Sequence, residues 1–315
     1  MATSRVLVTG ATGLIGRQAL TPLADLGFEV HAVSRTLPKK DAEALGIKPS
    51  PCHWHVADLL QPQATTTLLE KISPTHILHF AWYAEHGLYW KSPLNLAWLN
   101  ATLHLISELA RMGGKRFIGA GTCAEYDWDF SDSTEQPGMC YEEKTPLKPA
   151  TLYGAAKASA YLTGKALAET QNLSFAWGRI FLLFGAGEDA RRIVPSLIRA
   201  HLFGIEINCS QGTQERDFIS STALGEAFAH LAASDIQGDM NMGSGQTTTL
   251  RALSERIAQL VGQTGKVRFD AFHDAGPKKL VPNLQRLRQD LKWQHQESMD
   301  AALLSATNGW RTKPQ

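Results

Sequence analysis

Tyr153 and Lys157 stand four residues apart in a segment with helical periodicity, so their side chains share one face about one turn apart. A lysine ammonium placed there lowers the pKa of a phenol from its usual value of about 10. The hydroxyl can then exchange a proton near neutral pH, as a general acid or base does. The pair alone is equally typical of an amphipathic helix with a solvated lysine, so its meaning depends on its surroundings.

The elements that would carry this pair alternate between short apolar runs and helical periodicity. We predict strands at 5–9, 28–33, 52–56, 76–80, 115–120 and 173–183, and helices at 13–26, 59–72, 94–112 and 149–170. Short apolar runs that end at glycine or polar residues are typical of buried parallel strands. Their alternation with helices predicts an α/β fold with a doubly wound parallel sheet.

The pattern loosens after residue 184, where segments are shorter and Gly, Pro and Ser more frequent. Helices are predicted at 191–203, 222–233, 250–261 and 284–291. We therefore expect a dinucleotide-binding domain at 1–178 and a smaller mixed α/β substrate-binding lobe at 179–315. The chain is expected to return to the first domain near 212–237.

A glycine-rich loop follows the first predicted strand and opens a helix, which is the setting of a dinucleotide site. Gly10 permits the tight turn, Gly13 lets the backbone approach a pyrophosphate, and Gly16 allows close packing of helix on strand. Thr12, Leu14 and Ile15 complete the loop and are expected to contact the same ligand.

The end of the second strand indicates which dinucleotide binds. An acidic residue there would hold the ribose 2′-hydroxyl of NAD, but the chain has Ser34 and Arg35, with Lys39 and Lys40 close by. Arginine suits a 2′-phosphate, so we expect NADP and keep NAD as the alternative. After the third strand, Asp58 and Leu59 are placed to contact the adenine, although Asp58 could instead cap the next helix.

The bulk composition excludes several classes of protein. The 315 residues carry 31 Lys and Arg against 30 Asp and Glu, without the basic stripe of a nucleic-acid-binding protein. The four cysteines lack metal-ligand spacing, and we expect no metal site. No apolar run approaches the roughly 20 residues of a membrane span, and no signal peptide precedes the first strand. A cytoplasmic protein with free thiols is expected.

Taken together, the motifs resemble the extended short-chain dehydrogenase/reductases of the NAD-dependent epimerase/dehydratase type. The matching segments are Thr9–Gly16, Gly121–Tyr126, Tyr153–Lys157, Arg216–Phe218 and Asn241–Gly245. The resemblance runs from residue 5 to about 293, and it implies a Rossmann fold and a nucleotide-diphosphate sugar as substrate. The motifs are specific evidence for the family and weak evidence for the identity of the sugar.

The resemblance also implies roles for individual residues. Tyr153 corresponds to the general acid or base, and Lys157 to the lysine that binds the nicotinamide ribose. Thr122 stands where a Ser or Thr hydrogen-bonds the reacting oxygen of the substrate. Arg216 resembles the arginine that binds the substrate diphosphate, as its forked donors suit.

Arg286 and Asn100 are further substrate-binding candidates, Arg286 from a late helix and Asn100 from the helix below the sheet. Similar proteins are usually homodimers paired through two long helices, and we expect the same here. Aromatic residues crowd the segment after the fourth strand, where they could stack on a sugar or base or form a loop core. They are Trp82, Tyr83, Tyr89, Trp90 and Trp98.

Two departures from the family pattern narrow the chemistry. Sugar dehydratases carry Asp-Glu directly after the catalytic Ser or Thr, whereas this chain has Cys123 and Ala124. Cys123 could be a second acid or base, or a buried packing residue. The segment 219–222 also lacks the aspartate that usually follows the Arg-Asp-Phe motif.

These features lead to an NADP-dependent reductase of a nucleotide-activated 4-keto-6-deoxy sugar as the first hypothesis. A nucleotide-sugar epimerase with tightly held NAD is the alternative. A reductase of non-nucleotide carbonyl compounds and a non-catalytic NADP sensor are further alternatives. The complete set of Thr122, Tyr153 and Lys157 argues against the sensor, which needs only the glycine loop.

Overall fold

A computed structural model of the protein describes residues 4–37, 52–129, 140–272 and 276–311. Lys39 and Lys40, which were predicted near the cofactor, lie outside the described residues. The first part of the chain forms β1 (Arg5–Thr9), α1 (Gly16–Asp25), β2 (Glu29–Ser34), β3 (Cys52–Val56), α2 (Pro62–Ile72), β4 (His76–His79), α3 (Leu94–Arg111), β5 (Arg116–Thr122), a 3-10 turn (Cys123–Glu125), α4 (Leu152–Thr170) and β6 (Ser174–Ile180).

The second part of the chain has shorter strands. It forms β7 (Leu182–Phe184), α5 (Ile193–Phe203), β8 (Ile207–Asn208), β9 (Glu215–Ser220), α6 (Ser221–Ala233), β10 (Gly238–Met242), β11 (Thr247–Thr249), α7 (Leu250–Val261), β12 (Val267–Arg268), β13 (Lys279–Leu280), α8 (Gln285–Gln289) and α9 (Met299–Arg311).

Seven parallel strands form the central sheet, in the order β10-β6-β5-β4-β1-β2-β3. The order reverses between β1 and β4, which is where an open α/β sheet leaves a crevice for ligands beyond its carboxyl edge. The predicted doubly wound α/β fold is confirmed. Thr9, His79 and Thr122 end three of the strands at this edge.

Helices cover both faces of this sheet. Apolar side chains of α1 and α6, among them Leu20 and Phe228, pack on one face around Val6 and Val8. The opposite face, which includes Leu7 and Phe117, is covered by α2, α3 and α4. Burial on both faces explains why the central strands are almost wholly apolar.

The smaller sheet has β9 at its centre, paired with β7, β11 and β13. Helices α5, α7 and α9 pack together around Phe218 and Leu303. The chain then returns to the large sheet, since α6 packs on α1 and β10 pairs with β6. The proposed domain limits, 1–178 and 179–315, stay a prediction.

Two predicted elements differ from the structure, and helix α9 is an addition to the prediction. The strand predicted at 173–183 divides at Phe181 into β6 and β7, and β7 belongs to the smaller sheet. Helix α1 begins at Gly16 rather than residue 13, because the glycine loop occupies the intervening residues. Helix α9 was not predicted; its buried face contains Met299, Leu303 and Trp310.

Candidate active site

Close packing of α4 against the 3-10 turn brings Thr122 and Tyr153 together. Thr122 ends β5 and caps the turn, and its hydroxyl accepts a hydrogen bond from the amide of Ala124 at 3.2 Å. A Cβ on Gly154 would lie 2.3 Å from the carbonyl oxygen of Ala124, so only glycine permits this approach. Thr122 lies close enough to Tyr153 to lower the pKa of its phenol, so the structure brings the two predicted residues together.

Tyr153 lies in an aromatic setting that raises its pKa. The rings of Tyr89 and Trp90 meet it edge to face, with centroids 4.9 and 5.7 Å away. Burial raises the pKa of Tyr153 well above its usual value, and the opposing effect of the Thr122 hydrogen bond is smaller. Tyr153 is therefore neutral at pH 7 and available as a proton donor.

Lys157 is 3 % exposed. Its Nζ donates to the carbonyl oxygen of Ala120 at 2.7 Å and lies 3.9 Å from the centre of the Trp82 ring. Burial lowers the pKa of Lys157 to about 7, against an opposing effect of Glu125. The expectation that Lys157 lowers the pKa of Tyr153 is wrong for this arrangement, because burial determines the pKa of the phenol.

The carboxylate of Glu125 is hydrogen-bonded to the backbone of Thr122. One carboxylate oxygen accepts the amide of Thr122 at 2.8 Å and the indole N–H of Trp177 at 3.0 Å. The other accepts the Nε–H of Arg179 at 2.7 Å, and both charged side chains are fully buried. The Nη1 group of Arg179 also forms an ion pair with Asp239. The sequence analysis missed this network, although Thr122 and Glu125 have the spacing of a capping box.

The glycine loop has the shape of a dinucleotide cradle. Gly10 has φ +65°, and a Cβ there would lie 2.8 Å from the amide nitrogen of Ala81 at the end of β4. A Cβ on Gly16 would lie 2.3 Å from the carbonyl oxygen of Gly10. Thr12 and Gly13 are exposed at the tip, where the N-terminus of α1 faces the crevice. These residues fit a bound dinucleotide, with the pyrophosphate at the start of α1.

The predicted loop residues Leu14 and Ile15 are half-buried beside this tip. Ser34 ends β2, and Arg35 is exposed just after it. Asp58 is exposed and accepts the amide of Leu60 at 3.1 Å. Asp58 does not cap α2, since the capping position belongs to Gln61.

Three of the predicted contacts need correction. The side chain of Leu59 lies in the core below the sheet, so only its backbone can face a cofactor. Asn100 points to solvent from α3, whereas Asn95 is buried near the site and accepts the indole N–H of Trp82 at 2.8 Å. Arg286 donates to carbonyl oxygens of Gln237 and Asp239 near the amino end of β10, away from the crevice.

The charge of Arg216 lowers the pKa of Cys123, and its guanidinium donates to the carbonyl oxygen of Glu215 at 2.9 Å. Its neighbour Asp217 is fully buried and accepts the amides of Ser244 and Gly245 at 2.8 and 2.6 Å. That carboxylate joins β9 to the loop after β10. The Arg-Asp-Phe motif therefore places a cation, Arg216, next to Asp217, a buried carboxylate that connects two segments.

The two sequence departures have structural explanations. Cys123 is buried among Tyr126, Tyr141 and Phe181, and burial raises its pKa to about 12. This is the packing cysteine rather than a second acid or base. In the segment 219–222, which lacks the usual aspartate, Ser220 caps α6: its hydroxyl accepts the amide of Ala223 at 3.1 Å.

The described part of the chain contains neither a cluster of metal ligands nor a helix that could span a membrane. Among residues 4–37, 52–129, 140–272 and 276–311, no cluster of His, Cys, Asp and Glu could hold a metal ion. Within the same ranges, every helix is too short or too polar to cross a membrane.

Comparisons with known proteins agree with this site. The model of the NAD dependent epimerase/dehydratase family matches residues 6–243, and the chain belongs to that family of enzymes. It is 26 % identical over 339 residues to a UDP-glucose 4-epimerase of Rhizobium leguminosarum bv. trifolii, with 99 % of each chain covered. The family resemblance of the motifs is thus confirmed.

Solved structures show the same fold. A UDP-glucose 4-epimerase of Thermus thermophilus in complex with NAD has a TM-score of 0.82 at 21 % identity, covering 98 % of this chain and 99 % of that one. A UDP-N-acetylglucosamine 4-epimerase of Methanobrevibacter ruminantium M1 has a TM-score of 0.85 at 23 % identity, covering 99 % of both. At these identities the likeness establishes the fold alone.

Proposed function

We propose that the protein is a nucleotide-sugar 4-epimerase that works through one proton-transferring group, Tyr153. The observation that carries the proposal is the site itself: Thr122 and Tyr153 meet at the carboxyl edge of the sheet, and neither Cys123 nor Ala124 supplies a second acid. Dehydration needs that second group, whereas oxidation and re-reduction at a single carbon do not. A full-length relative that is a UDP-glucose 4-epimerase supports this choice.

In this proposal each residue has one task. Thr122 holds the sugar oxygen, and Tyr153 takes its proton and later returns it. A bound nicotinamide would supply reversible hydride transfer, with hydride leaving the sugar carbon and returning to its opposite face, so that no net oxidation would occur. Lys157 binds the nicotinamide ribose, and Arg216 binds the diphosphate of the substrate.

The second candidate is the NADP-dependent reductase of a nucleotide 4-keto sugar. Two observations favour it: Arg35 is exposed where an acidic residue would select NAD, and Tyr153 is neutral and ready to donate a proton. The reductase releases NADP after each turnover, whereas the epimerase retains its cofactor. NADP therefore remains the proposed cofactor of this candidate, and NAD that of the epimerase.

The deciding experiment identifies the cofactor and follows the sugar. The purified protein is denatured and the released dinucleotide identified by mass spectrometry, while UDP-glucose and UDP-N-acetylglucosamine are followed by NMR. Retained NAD with interconversion of the C4 epimers supports the epimerase. Oxidation of added NADPH by a UDP-4-keto-6-deoxy sugar, without interconversion, supports the reductase.

Arg216 separates nucleotide substrates from neutral carbonyl compounds. We expect Arg216→Ala to raise the KM for a nucleotide sugar at least tenfold, because a charge-assisted hydrogen bond contributes about 1.5–3 kcal/mol. Lys144→Ala, which removes an exposed surface cation, is the control. An unchanged KM in Arg216→Ala would leave the reductase of non-nucleotide carbonyls as the better candidate.

We also propose a cytoplasmic homodimer. The four cysteines form no disulfide, which supports a reducing compartment. Leu96 on α3 and Leu162 on α4 are more than half exposed, and they supply apolar surface on the two helices that are expected to pair. Light scattering of the wild type and of a Leu96→Glu/Leu162→Glu variant tests the pairing, and a dimer in both would exclude this interface.

A further inference from the structure

Trp82 covers the ammonium group of Lys157. It follows β4 by three residues, and the centre of its ring lies 3.9 Å from Nζ. An ammonium has three N–H donors. The carbonyl oxygen of Ala120 takes one at 2.7 Å, and the indole face takes up the direction of a second. The ring of Trp177 is farther from Nζ, with its centre 5.8 Å away.

The indole is itself held in place. Its Nε1–H donates to Asn95 at 2.8 Å, and Asn95 is fully buried. The amide nitrogen of Asn95 donates in turn to the carbonyl oxygens of Tyr89 and Ser92 at 2.7 and 2.9 Å. Trp98 stacks on Trp82 from α3, with ring centroids 6.5 Å apart. The hydrogen bond to Asn95 therefore determines the position of the ring.

The ammonium needs stabilisation because burial disfavours its charge. The other titratable groups around it are Glu125, which favours the charged form, and His79, whose Nδ1 and Nε2 are hydrogen-bonded to Thr9 and Thr102. Tyr153 lies one turn away on α4. Glu125 is already paired with Arg179, and burial keeps His79 neutral. The electron-rich face of Trp82 is thus the nearest further attraction for the cation, and such attraction is strongest at desolvated sites.

We propose that Trp82 is a positioning residue of the active site: its ring and the Ala120 carbonyl together orient the Lys157 ammonium and favour its charged form. The proposal rests on the proposed function only in giving Lys157 a task during turnover. The task of Trp82 can be measured without substrate or dinucleotide.

The test is the titration of Lys157 by NMR in protein with 13C-labelled lysine, its signal assigned by comparison with Lys157→Met. We expect Trp82→Leu to lower the pKa of Lys157 by about one pH unit, which corresponds to a tenfold loss of proton affinity. Trp82→Phe keeps an aromatic face and is expected to stay within a few tenths of the wild type. Trp98→Leu is the matched control, because it removes the stacked ring and leaves the ring on the ammonium.

Two outcomes would overturn the proposal: a wild-type titration in Trp82→Leu, or an equal shift in Trp98→Leu. Trp82→Met, which keeps more of the indole volume, takes the place of Trp82→Leu should circular dichroism show that the leucine variant does not fold. The NMR titration tests the role of Trp82, and the epimerase assay tests the proposed function. Either proposal can therefore be refuted while the other is sustained. A shifted titration in a protein that converts no nucleotide sugar sustains the role of Trp82 and refutes the proposed function.

The pH profile of turnover supplies a second readout. We expect the alkaline limb of kcat/KM to move to lower pH in Trp82→Leu and to remain in place in Trp82→Phe. A purely structural role would lower activity equally at every pH. An unmoved alkaline limb, together with a shifted NMR titration, would show that the charge of Lys157 is not required for turnover and would overturn the assigned task.

Discussion

Glu125 and Arg179 form a fully buried ion pair, 2.7 Å between Oε2 and Nε, directly below the residue that holds the reacting oxygen in our proposal. Because both charges are out of water, neither can lose its partner cheaply. We expect Glu125→Gln to lower the free energy of unfolding by about 3–5 kcal/mol, measured by urea denaturation. The double variant Glu125→Gln/Arg179→Met removes both charges, and it is expected to recover part of this loss.

Activity gives a separate view of the same pair. The side-chain oxygen of Gln in place of Glu125 can still accept the amide of Thr122. We therefore expect the folded variant to keep most of its turnover, although its free energy of unfolding falls. If the double variant were no more stable than Glu125→Gln, the pair would not be the source of the destabilisation.

Tyr153→Phe tests the proton transfer. The ring remains packed between Tyr89 and Trp90, so we expect an unchanged melting temperature and an unchanged dinucleotide Kd. Turnover is expected to fall by about 10²–10⁴, the usual contribution of a general acid or base. Tyr89→Phe is the control, since it removes a neighbouring phenol outside the proposed mechanism. Comparable losses in both variants would contradict the assignment.

Arg35 tests the choice of dinucleotide. Replacing it with glutamate puts a carboxylate where a ribose 2′-hydroxyl would bind and a 2′-phosphate would be repelled. We expect the Kd for NADPH to rise at least tenfold and the Kd for NADH to stay level or fall, both by calorimetry. Arg191→Glu, on an exposed arginine of another loop, controls for net charge. A wild-type preference in Arg35→Glu would exclude Arg35 from recognition.

Gly121 tests the packing of the sheet below Thr122. A Cβ at this position would lie 2.2 Å from the indole nitrogen of Trp177. We expect Gly121→Ala to cost about 1–3 kcal/mol of stability through overpacking, seen as a lower melting temperature. In a Trp177→Leu background we expect a smaller cost, because the contact of 2.7 Å with Oε1 of Glu125 remains. An equal cost in both backgrounds would place the strain elsewhere.

Glu188 predicts a dependence of stability on pH. It is 6 % exposed, and burial raises its pKa to about 7 from an ordinary value of 4.5. Between these values the folded state holds a proton that the unfolded state has released, so stability falls as pH rises from about 4.5 to 7. Glu188→Gln removes this effect. We expect it to gain at most about 3 kcal/mol at pH 8 and almost nothing at pH 4.5, by urea denaturation. Equal gains at the two pH values would contradict this account.

Local patterns were sufficient for the first half of the fold. The apolar run of β1 and the glycines after it are neighbours in sequence, so strand, loop and helix could be predicted together. The division at Phe181 could not, because the apolar run continues through it and only the pairing of β7 with β9 separates the two strands. Helix α9 was missed because Gly309 and Asn308 weaken its helical pattern.

The site residues show the same limit. Asn95 and Asn100 lie on one helix, five residues apart, and therefore about 140° apart around its axis. Sequence alone does not tell which of these directions faces the sheet. Arg286 was assigned by residue type, but the end of β10 that it reaches depends on the packing of α8. Thr122, Tyr153 and Lys157 were found because their spacing is local or their strand ends are at one edge.

The carboxylate of Asp217 has a mechanical consequence for substrate binding. It fastens β9 to the loop after β10, and β10 belongs to the same sheet as Thr122. Arg216 is the neighbour of Asp217 in β9. An anion bound by Arg216 is therefore connected through Asp217 to the large sheet that carries Thr122. The two hydrogen bonds tie the smaller sheet to the loop after β10 at this point. We expect adjustment to sugars of different size to come from the loops around the crevice, while the distance from diphosphate to reacting carbon stays fixed.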